Sequence, residues 1–346
     1  MKAYQLVAWR QPPELRDVPV PVPGAGEVLL KVGGACACHT DLRMMDWPKG
    51  THDYDLPFTL GHESAGWIEA LGPGVGGWQI GEPVIVYGPW GCGHCAACRA
   101  GRETLCERAM TEDVPVGGFG LDGGMAEYML VPSARLLVSL DDLDPCTAAP
   151  LSDAALTPYH AIRSVQPLLT PGAWALVIGI GGLGHMAVQL LRAVSAVRVI
   201  AVDVDAAKLE LAREVGAEET IVVGETAAAR IRELTRGLGP IAVLDCVGSD
   251  VTMALAAAVV RPGGAIQAIG LAGGRIPVGY GALPFDVSVT VPYWGSYGEL
   301  VEVVELARAG KIHAHTKSFP LERAADAYER LRAGTLRGRA VITPHG

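Results

Sequence analysis

Trp174-Ala175-Leu176-Val177-Ile178-Gly179-Ile180-Gly181-Gly182-Leu183-Gly184 is the stretch on which the fold turns. Its apolar half reads as a buried strand, and its glycine half satisfies G-x-G-x-x-G. A helical run from Leu183 to Ser195 follows. Strand, glycine turn and helix in that order form a pyrophosphate cradle. The glycines let the backbone come close, and the helix start offers free N–H groups and the positive end of its dipole. Gly179, Gly181, Gly182, Leu183 and Gly184 are therefore expected to hold a dinucleotide. Asp203 ends the next apolar run, Arg198–Asp203, nineteen residues after Gly184. A carboxylate there accepts both adenosine ribose hydroxyls and repels a 2′-phosphate, which predicts NAD rather than NADP. Lys208 is expected either at the ribose edge or as a solvated helix lysine, and the plainer role for Asp203 is a helix cap.

Working outward, a helix is predicted over Ala206–Val215, a strand over Thr220–Val223 and a helix over Thr226–Arg236. Further strands are predicted over Ile241–Cys246 and Ala265–Ile269. This alternation of strand and helix argues for an α/β, doubly wound parallel sheet. Roughly the first 150 residues read differently, as short strands (Glu27–Val32, Glu82–Tyr87, Met125–Val131) between Gly/Pro turns. They suggest a compact barrel-like domain. Near the C-terminus a helix is expected over Glu299–Ala309, and a last strand, Arg339–Ile342, could return to the first domain.

The chain of 346 residues is long enough for about two domains. Lys plus Arg number 28 against 37 Asp plus Glu, a formal charge of −9 that disfavours binding nucleic acid through a basic field. Half the residues are hydrophobic, so disorder is not expected. The sequence holds no apolar run of membrane-spanning length and no signal-peptide pattern, and a cytoplasmic enzyme is the expectation.

Four of the eight cysteines, Cys92, Cys95, Cys98 and Cys106, fall within fifteen residues in the spacing C-x2-C-x2-C-x7-C. In a large chain without an export signal such a cluster reads as a metal site, not as disulfides. Four thiolates close a tetrahedral Zn²⁺ and leave no place for substrate, so this zinc should be structural. An iron–sulfur cluster is the alternative, and His94 reads as a bystander. A second set is open on residue type alone. Cys38 in Cys38-His39-Thr40-Asp41 and His62 in Gly61-His62-Glu63 could share a catalytic zinc with a third ligand, or could be core residues.

The order C-H-T-D, G-H-E, four-cysteine loop and G-x-G-G-x-G resembles the zinc-dependent medium-chain alcohol dehydrogenases across essentially the whole chain. The segment Pro150–His160 is most similar to bacterial NAD-dependent secondary-alcohol dehydrogenases. The resemblance implies a chaperonin-10-like catalytic domain (1–153 and 291–346) around a Rossmann NAD-binding domain (154–290). It implies Cys38 and His62 as ligands of a catalytic zinc and Asp153 where most relatives carry cysteine. A carboxylate is an acceptable zinc ligand of the same charge; its plainer role would be capping the helix that follows. Glu63 matches a carboxylate behind the metal, Asp41 the partner that orients His62, and Thr40 the hydroxyl that receives the alcohol proton. His39 matches a position facing the cofactor phosphates, and Arg339 a pyrophosphate-binding arginine. Arg43 stands where many relatives carry a relay histidine, and an arginine does not deprotonate at neutral pH.

Trp47, Tyr54 and Phe119 are candidate pocket aromatics, and Tyr293 and Trp294 either line the substrate pocket or sit at a subunit edge. The expected function is reversible hydride transfer between NAD and alcohols or ketones, secondary alcohols favoured, with two Zn²⁺ per chain and a homo-oligomeric state, tetramer before dimer. The alternatives are a polyol (sorbitol-type) dehydrogenase and a non-catalytic, zinc-stabilised nucleotide-binding protein.

Overall fold

The computed structural model describes residues 1–346. The chain divides into two units: Met1–Asp153 with Gly295–Arg308 and Ala314–Gly346, and Ala154–Trp294 with Ala309–His313. The return to the first unit thus comes at 295 rather than 291, and a short stretch near the C-terminus belongs to the second.

In the first unit the spine is the Val28–Ala37 strand. It pairs antiparallel with Ser64–Leu71, Tyr128–Val131 and Arg339–Thr343. Pro83–Val86, Leu137–Ser139 and Thr316–Pro320 complete that sheet, and Lys2–Leu6 lies in a second, three-stranded one. The strand expected to stop at Val32 runs on for five residues through Gly33-Gly34. That glycine pair is no turn. A Cβ on Gly34 would stand 2.8 Å from Val341 Cγ1, and one on Gly33 2.8 Å from Pro145 Cβ. Neighbouring chain passes too close for a side chain, which is a recognised reason for glycine inside a strand. The extension delivers Cys38 to the strand's end.

The second unit is a six-stranded, all-parallel sheet. Its strands, in spatial order, are Glu219–Val222, Arg198–Asp203, Trp174–Ile178, Ala242–Asp245, Ala265–Ala268 and Ser288–Thr290. This is the 3-2-1-4-5-6 arrangement whose reversal point lies beside the first strand. Leu176, Ile178, Ile200, Val202, Val243 and Ile266 form its core with Ile231, Ala256 and Val259 from two helices. The sixth strand was not expected: three half- or fully exposed residues carry no periodic signal. The expected helices are present, shortened by a residue or two at their ends. The Glu299–Ala309 expectation is met by Tyr297–Arg308. Two elements near the C-terminus that sequence reading passed over are the Thr316–Pro320 strand and the Ala324–Arg332 helix. No helix is long and apolar enough to cross a membrane.

Candidate metal and dinucleotide sites

Cys38 ends the spine strand and opens the His39–Met45 helix. His62 and Glu63 lie just before the neighbouring Ser64–Leu71 strand, and Asp153 follows the short Ala149–Ser152 turn. Pairing of the two strands brings residues 24 apart in sequence side by side, and Asp153 joins them from a further 91 residues on. One donor atom each from Cys38, His62, Glu63 and Asp153 lies within 4.8 Å of the others. His62 Nε2 is 3.5 Å from Asp153 Oδ2 and 3.7 Å from Glu63 Oε1. Donors on a tetrahedral zinc stand about 3.3–3.8 Å apart, so sulfur, imidazole and carboxylate here fit that ion. Asp153 is no helix cap. The helix that follows starts at Leu156 with Ala155 at its cap position.

Behind the donors is a buried polar network. Asp41 Oδ1 stands 2.9 Å from His62 Nδ1, while its Oδ2 accepts the Cys38 N–H and the Tyr328 hydroxyl, each at 2.9 Å. With Nδ1 held by Asp41, Nε2 is the nitrogen left to face a metal. Burial opposes an imidazolium, but the charge of Asp41, with Asp153 and Cys38, outweighs it and holds His62 well above its ordinary pKa. Burial likewise opposes the Cys38 thiolate, and Arg339 and His62 overcome it, so the thiol sits below its usual range. Such a field favours a cation at Nε2.

Arg339 adds a cation to this network. Its guanidinium, 3% exposed, is bound to Glu63 through Nη2–Oε1 and, at 3.2 Å, Nε–Oε2. Asp153 Oδ2 is 3.9 Å away. The side chain expected at a pyrophosphate is thus also bonded to a carboxylate of the metal site. Arg339 binds Glu63 more closely than it does Asp153, which leaves Cys38, His62 and Asp153 as the donors less committed to that cation. Asp153, at 14% side-chain exposure against 2% for His62 and 0% for Glu63, marks the open side.

Thr40 Oγ1 is 3.4 Å from Cys38 Sγ, while His39 and Arg43 are exposed on the same helix. The Phe119 ring lies on His62, centroids 4.6 Å apart, and is only half-buried, so its outer face borders the site. Tyr54, against which a Cβ on Gly120 would stand 2.7 Å, stacks on His52, whose ring in turn meets Trp47. Tyr293 is 62% exposed, and Trp294 is buried with φ of 53°.

The second cluster is built locally. The Sγ atoms of Cys92, Cys95, Cys98 and Cys106 also lie within 4.8 Å of one another. Backbone N–H groups of Cys95, Cys98 and Cys92 point at the sulfurs of Cys92, Cys95 and Cys106, each at 3.4 Å. The N–H groups of His94 and Cys95 favour thiolate at Cys92 and that of Cys98 favours it at Cys95, whereas burial pushes Cys98 up to about 12. Gly91 has φ of 54°, and a Cβ there would stand 2.8 Å from Cys98 Sγ. The loop closes only with glycine at that position. His94 is exposed, its Nδ1 2.8 Å from the Cys92 carbonyl and outside the sulfur set.

In the glycine turn, a Cβ on Gly184 would fall 1.8 Å from Gly179 O, whereas one on Gly181 would project into open space. The first explains the tight turn, and the second is the room a pyrophosphate needs. The Gly184–Val194 helix carries no side-chain cap. Asp203 accepts Ile180 N–H at 2.6 Å and Asp205 N–H at 2.9 Å. The next helix is capped by Asp205 instead. Lys208 is half-buried in that helix.

Tyr328 is the functional residue that sequence reading missed. Its helix buries Ala324, Ala327, Tyr328 and Leu331, a helical stripe that could have flagged a tyrosine needing an acceptor.

Comparison with known proteins agrees with this geometry. Residues 24–142 match the alcohol dehydrogenase GroES-like domain and residues 182–308 the zinc-binding dehydrogenase domain. The chain is 34% identical to D-arabinose 1-dehydrogenase (NADP(+)) of Saccharolobus solfataricus over 99% of its length and 97% of the relative's. It is 35% identical to an NAD-dependent alcohol dehydrogenase of Sulfurisphaera tokodaii, over 99% of this chain and 100% of that one. The solved alcohol dehydrogenase of Aeropyrum pernix superposes with a TM-score of 0.91 at 35% identity, over 99% and 100% of the two chains. The chain belongs to the zinc-containing medium-chain alcohol dehydrogenase family, with a GroES-like β domain and a Rossmann-type parallel sheet.

Proposed function

We infer that the protein is a NAD-dependent zinc alcohol dehydrogenase, an oxidoreductase acting on CH–OH, and that it prefers secondary alcohols and their ketones. One observation carries this reading: Cys38, His62 and Asp153 converge on one point with Glu63 restrained by Arg339. Three ligands and one open position define a catalytic rather than a structural zinc.

When bound, zinc supplies Lewis acidity toward the substrate oxygen and NAD supplies the hydride acceptor. This chain's residues do the rest. Asp41 holds the His62 tautomer, and Tyr328 and the Cys38 N–H hold Asp41. Thr40 takes the alcohol proton and passes it toward solvent by way of His39 or water, since Arg43 cannot serve as the relay. Gly179, Gly181, Gly182, Leu183 and Gly184 hold the pyrophosphate, with Lys208 at the ribose edge. Asp203, its carboxylate already oriented by two backbone N–H groups, takes the ribose hydroxyls and disfavours NADP. Arg339 holds Glu63 and is retained as the pyrophosphate-binding arginine.

The substrate preference rests on the aromatic wall of Phe119, Tyr54 and Trp47, which suits aryl-alkyl and medium aliphatic groups. Tyr293 and Trp294 are retained as further pocket candidates. Similarity to a D-arabinose dehydrogenase keeps an aldose or polyol as the second reading. A homo-oligomer in the cytoplasm, tetramer before dimer, completes the proposal. The support for self-association is the exposed edge strand Ser288–Thr290 with exposed Tyr280, Phe285 and Tyr293 nearby in sequence.

The test is metal analysis with a substrate panel. Two zinc per chain and NADH formation from 2-alkanols and 1-phenylethanol, faster than from primary alcohols, sorbitol or D-arabinose, are expected. Faster turnover of D-arabinose or sorbitol refutes the preference, and faster turnover with NADP than with NAD refutes the role of Asp203. Unchanged turnover in Asp153→Ala refutes the third ligand.

A further inference from the structure

The chain leaves the metal-bearing unit at Asp153 and re-enters it at Gly295. The outgoing crossing follows Asp153, a member of the buried donor set. The incoming crossing is held by a residue outside both donor sets. Tyr87 is fully buried, and its hydroxyl donates to the Gly295 carbonyl at 2.8 Å, with Glu103 Oε2 at 3.5 Å. Its ring meets Tyr297 edge-on, centroids 5.8 Å apart, and the Tyr297 hydroxyl donates to Leu137 O at 2.9 Å. Burial and Glu103 push the phenol far above its usual range, so it remains a donor.

On its other side Tyr87 is tied to the four-cysteine loop. It precedes Cys92 by five residues, and Glu103 precedes Cys106 by three. Glu103 is wedged against Gly91, where a Cβ would stand 3.1 Å from Glu103 Cβ. Arg135 joins the same group, bonded to the Trp90 carbonyl and 3.5 Å from Glu103 Oε1. Gly295 itself follows Trp294, whose positive φ is a conformation that the surroundings must enforce. Ser296 and Glu299, which bond each other, then start the Tyr297–Arg308 helix.

We propose that Tyr87 is a positioning residue through which the four-cysteine loop fixes the returning chain at Trp294–Ser296. The zinc loop, on this account, does more than stabilise. It sets the backbone that carries Tyr293 and Trp294, the pocket candidates on which the kinetic half of this inference rests.

The test is Tyr87→Phe, which keeps the ring and removes one hydroxyl. Amide hydrogen exchange in the peptide spanning 293–300 is expected to quicken about three- to tenfold, the loss of one net hydrogen bond. Both zinc ions stay bound, and KM for the alcohol rises more than kcat falls. Cys106→Ser, which opens the loop, is expected to quicken the same peptide in the native background and to add less than twofold in the Tyr87→Phe background. Unchanged exchange at 293–300 in Tyr87→Phe overturns the proposal, as does loss of zinc from that variant or full additivity with Cys106→Ser. A fall in thermal midpoint with unaltered exchange and KM also overturns it, for it would leave Tyr87 a core residue only. Exchange does not depend on turnover. If the catalytic reading fails but exchange responds, only the link to the pocket is lost. If Cys106→Ser does not fold, Tyr87→Phe alone decides.

Discussion

The protein binds metal in two regions built on opposite plans. The four-cysteine loop takes all its ligands from fifteen consecutive residues and orients them with its own backbone N–H groups. The buried site gathers Cys38, His62, Glu63 and Asp153 from three parts of the chain and backs them with a network in which Asp41, Tyr328 and Arg339 take part. Four sulfurs saturate an ion and make a staple, whereas three mixed donors with one carboxylate at the rim leave room for an oxygen. The comparison teaches that ligand number and rim exposure separate structural from catalytic metal, and that the catalytic one requires the larger supporting cast.

The sharpest way to break this contrast is to remove one metal at a time. Asp153→Ala should strip zinc from the buried site alone, leaving about one zinc per chain by elemental analysis. It should lower kcat/KM by roughly 10³-fold or more, because Lewis-acid stabilisation amounts to several kcal/mol. Retention of both ions would end the assignment of the two sites.

Asp41→Asn probes the supporting network. An amide can still meet His62 but presents a donor to neighbours that themselves donate. Loss of about 10–100-fold in zinc affinity or turnover is expected, as for other partners of metal-bound histidine. Competition with a chromophoric chelator reads the affinity directly.

Proton competition distinguishes the buried site further. In the metal-free protein His62 holds its proton well above pH 6.5. Zinc must displace that proton, so affinity at this site should rise with pH up to the raised pKa, about tenfold per unit for each proton displaced, and flatten above it. A pH-independent affinity across neutrality would show that the network does not charge His62.

Cys95→Ser should act oppositely to Asp153→Ala. Loss of the staple is expected to lower the thermal midpoint by roughly 10 °C, since several kcal/mol of folding energy go with a structural zinc. kcat should move less than fivefold. The smallest effect is expected from Tyr328→Phe. It leaves Asp41 one donor short and costs about 1–3 kcal/mol by calorimetry, with a two- to tenfold fall in kcat/KM.

Legibility in the sequence follows the same divide. The four-cysteine loop and the glycine turn were readable because their chemistry is contiguous and the spacing itself imposes the geometry. Asp203 was readable because strand length fixes its distance from the turn. Cys38 and His62 drew notice only as residue types, and the resemblance, not the spacing, pointed to Asp153. Gly33-Gly34 was misread as a turn because a glycine pair looks alike whether it bends a strand or lets other chain approach it. The resemblance pointed Arg339 to a phosphate, and nothing in the sequence pointed to Glu63, the anion it meets in the fold. Tyr87 carried no local mark and Tyr328 only the buried stripe of its helix, since each acts on a partner more than 200 residues away.

The amino-acid sequence alone settled the parallel α/β unit, the nucleotide turn and the sulfur staple. In each, hydrogen-bonding and ligand geometry are set by neighbours along the chain, within a few bonds' reach. Tertiary structure alone decided that sulfur, imidazole and carboxylate share one point, that Arg339 restrains Glu63, and that Tyr87 grips the returning chain. Those meetings depend on strand register and on burial that excludes water. No local run of residues encodes either one, because both arise only when distant segments are packed together.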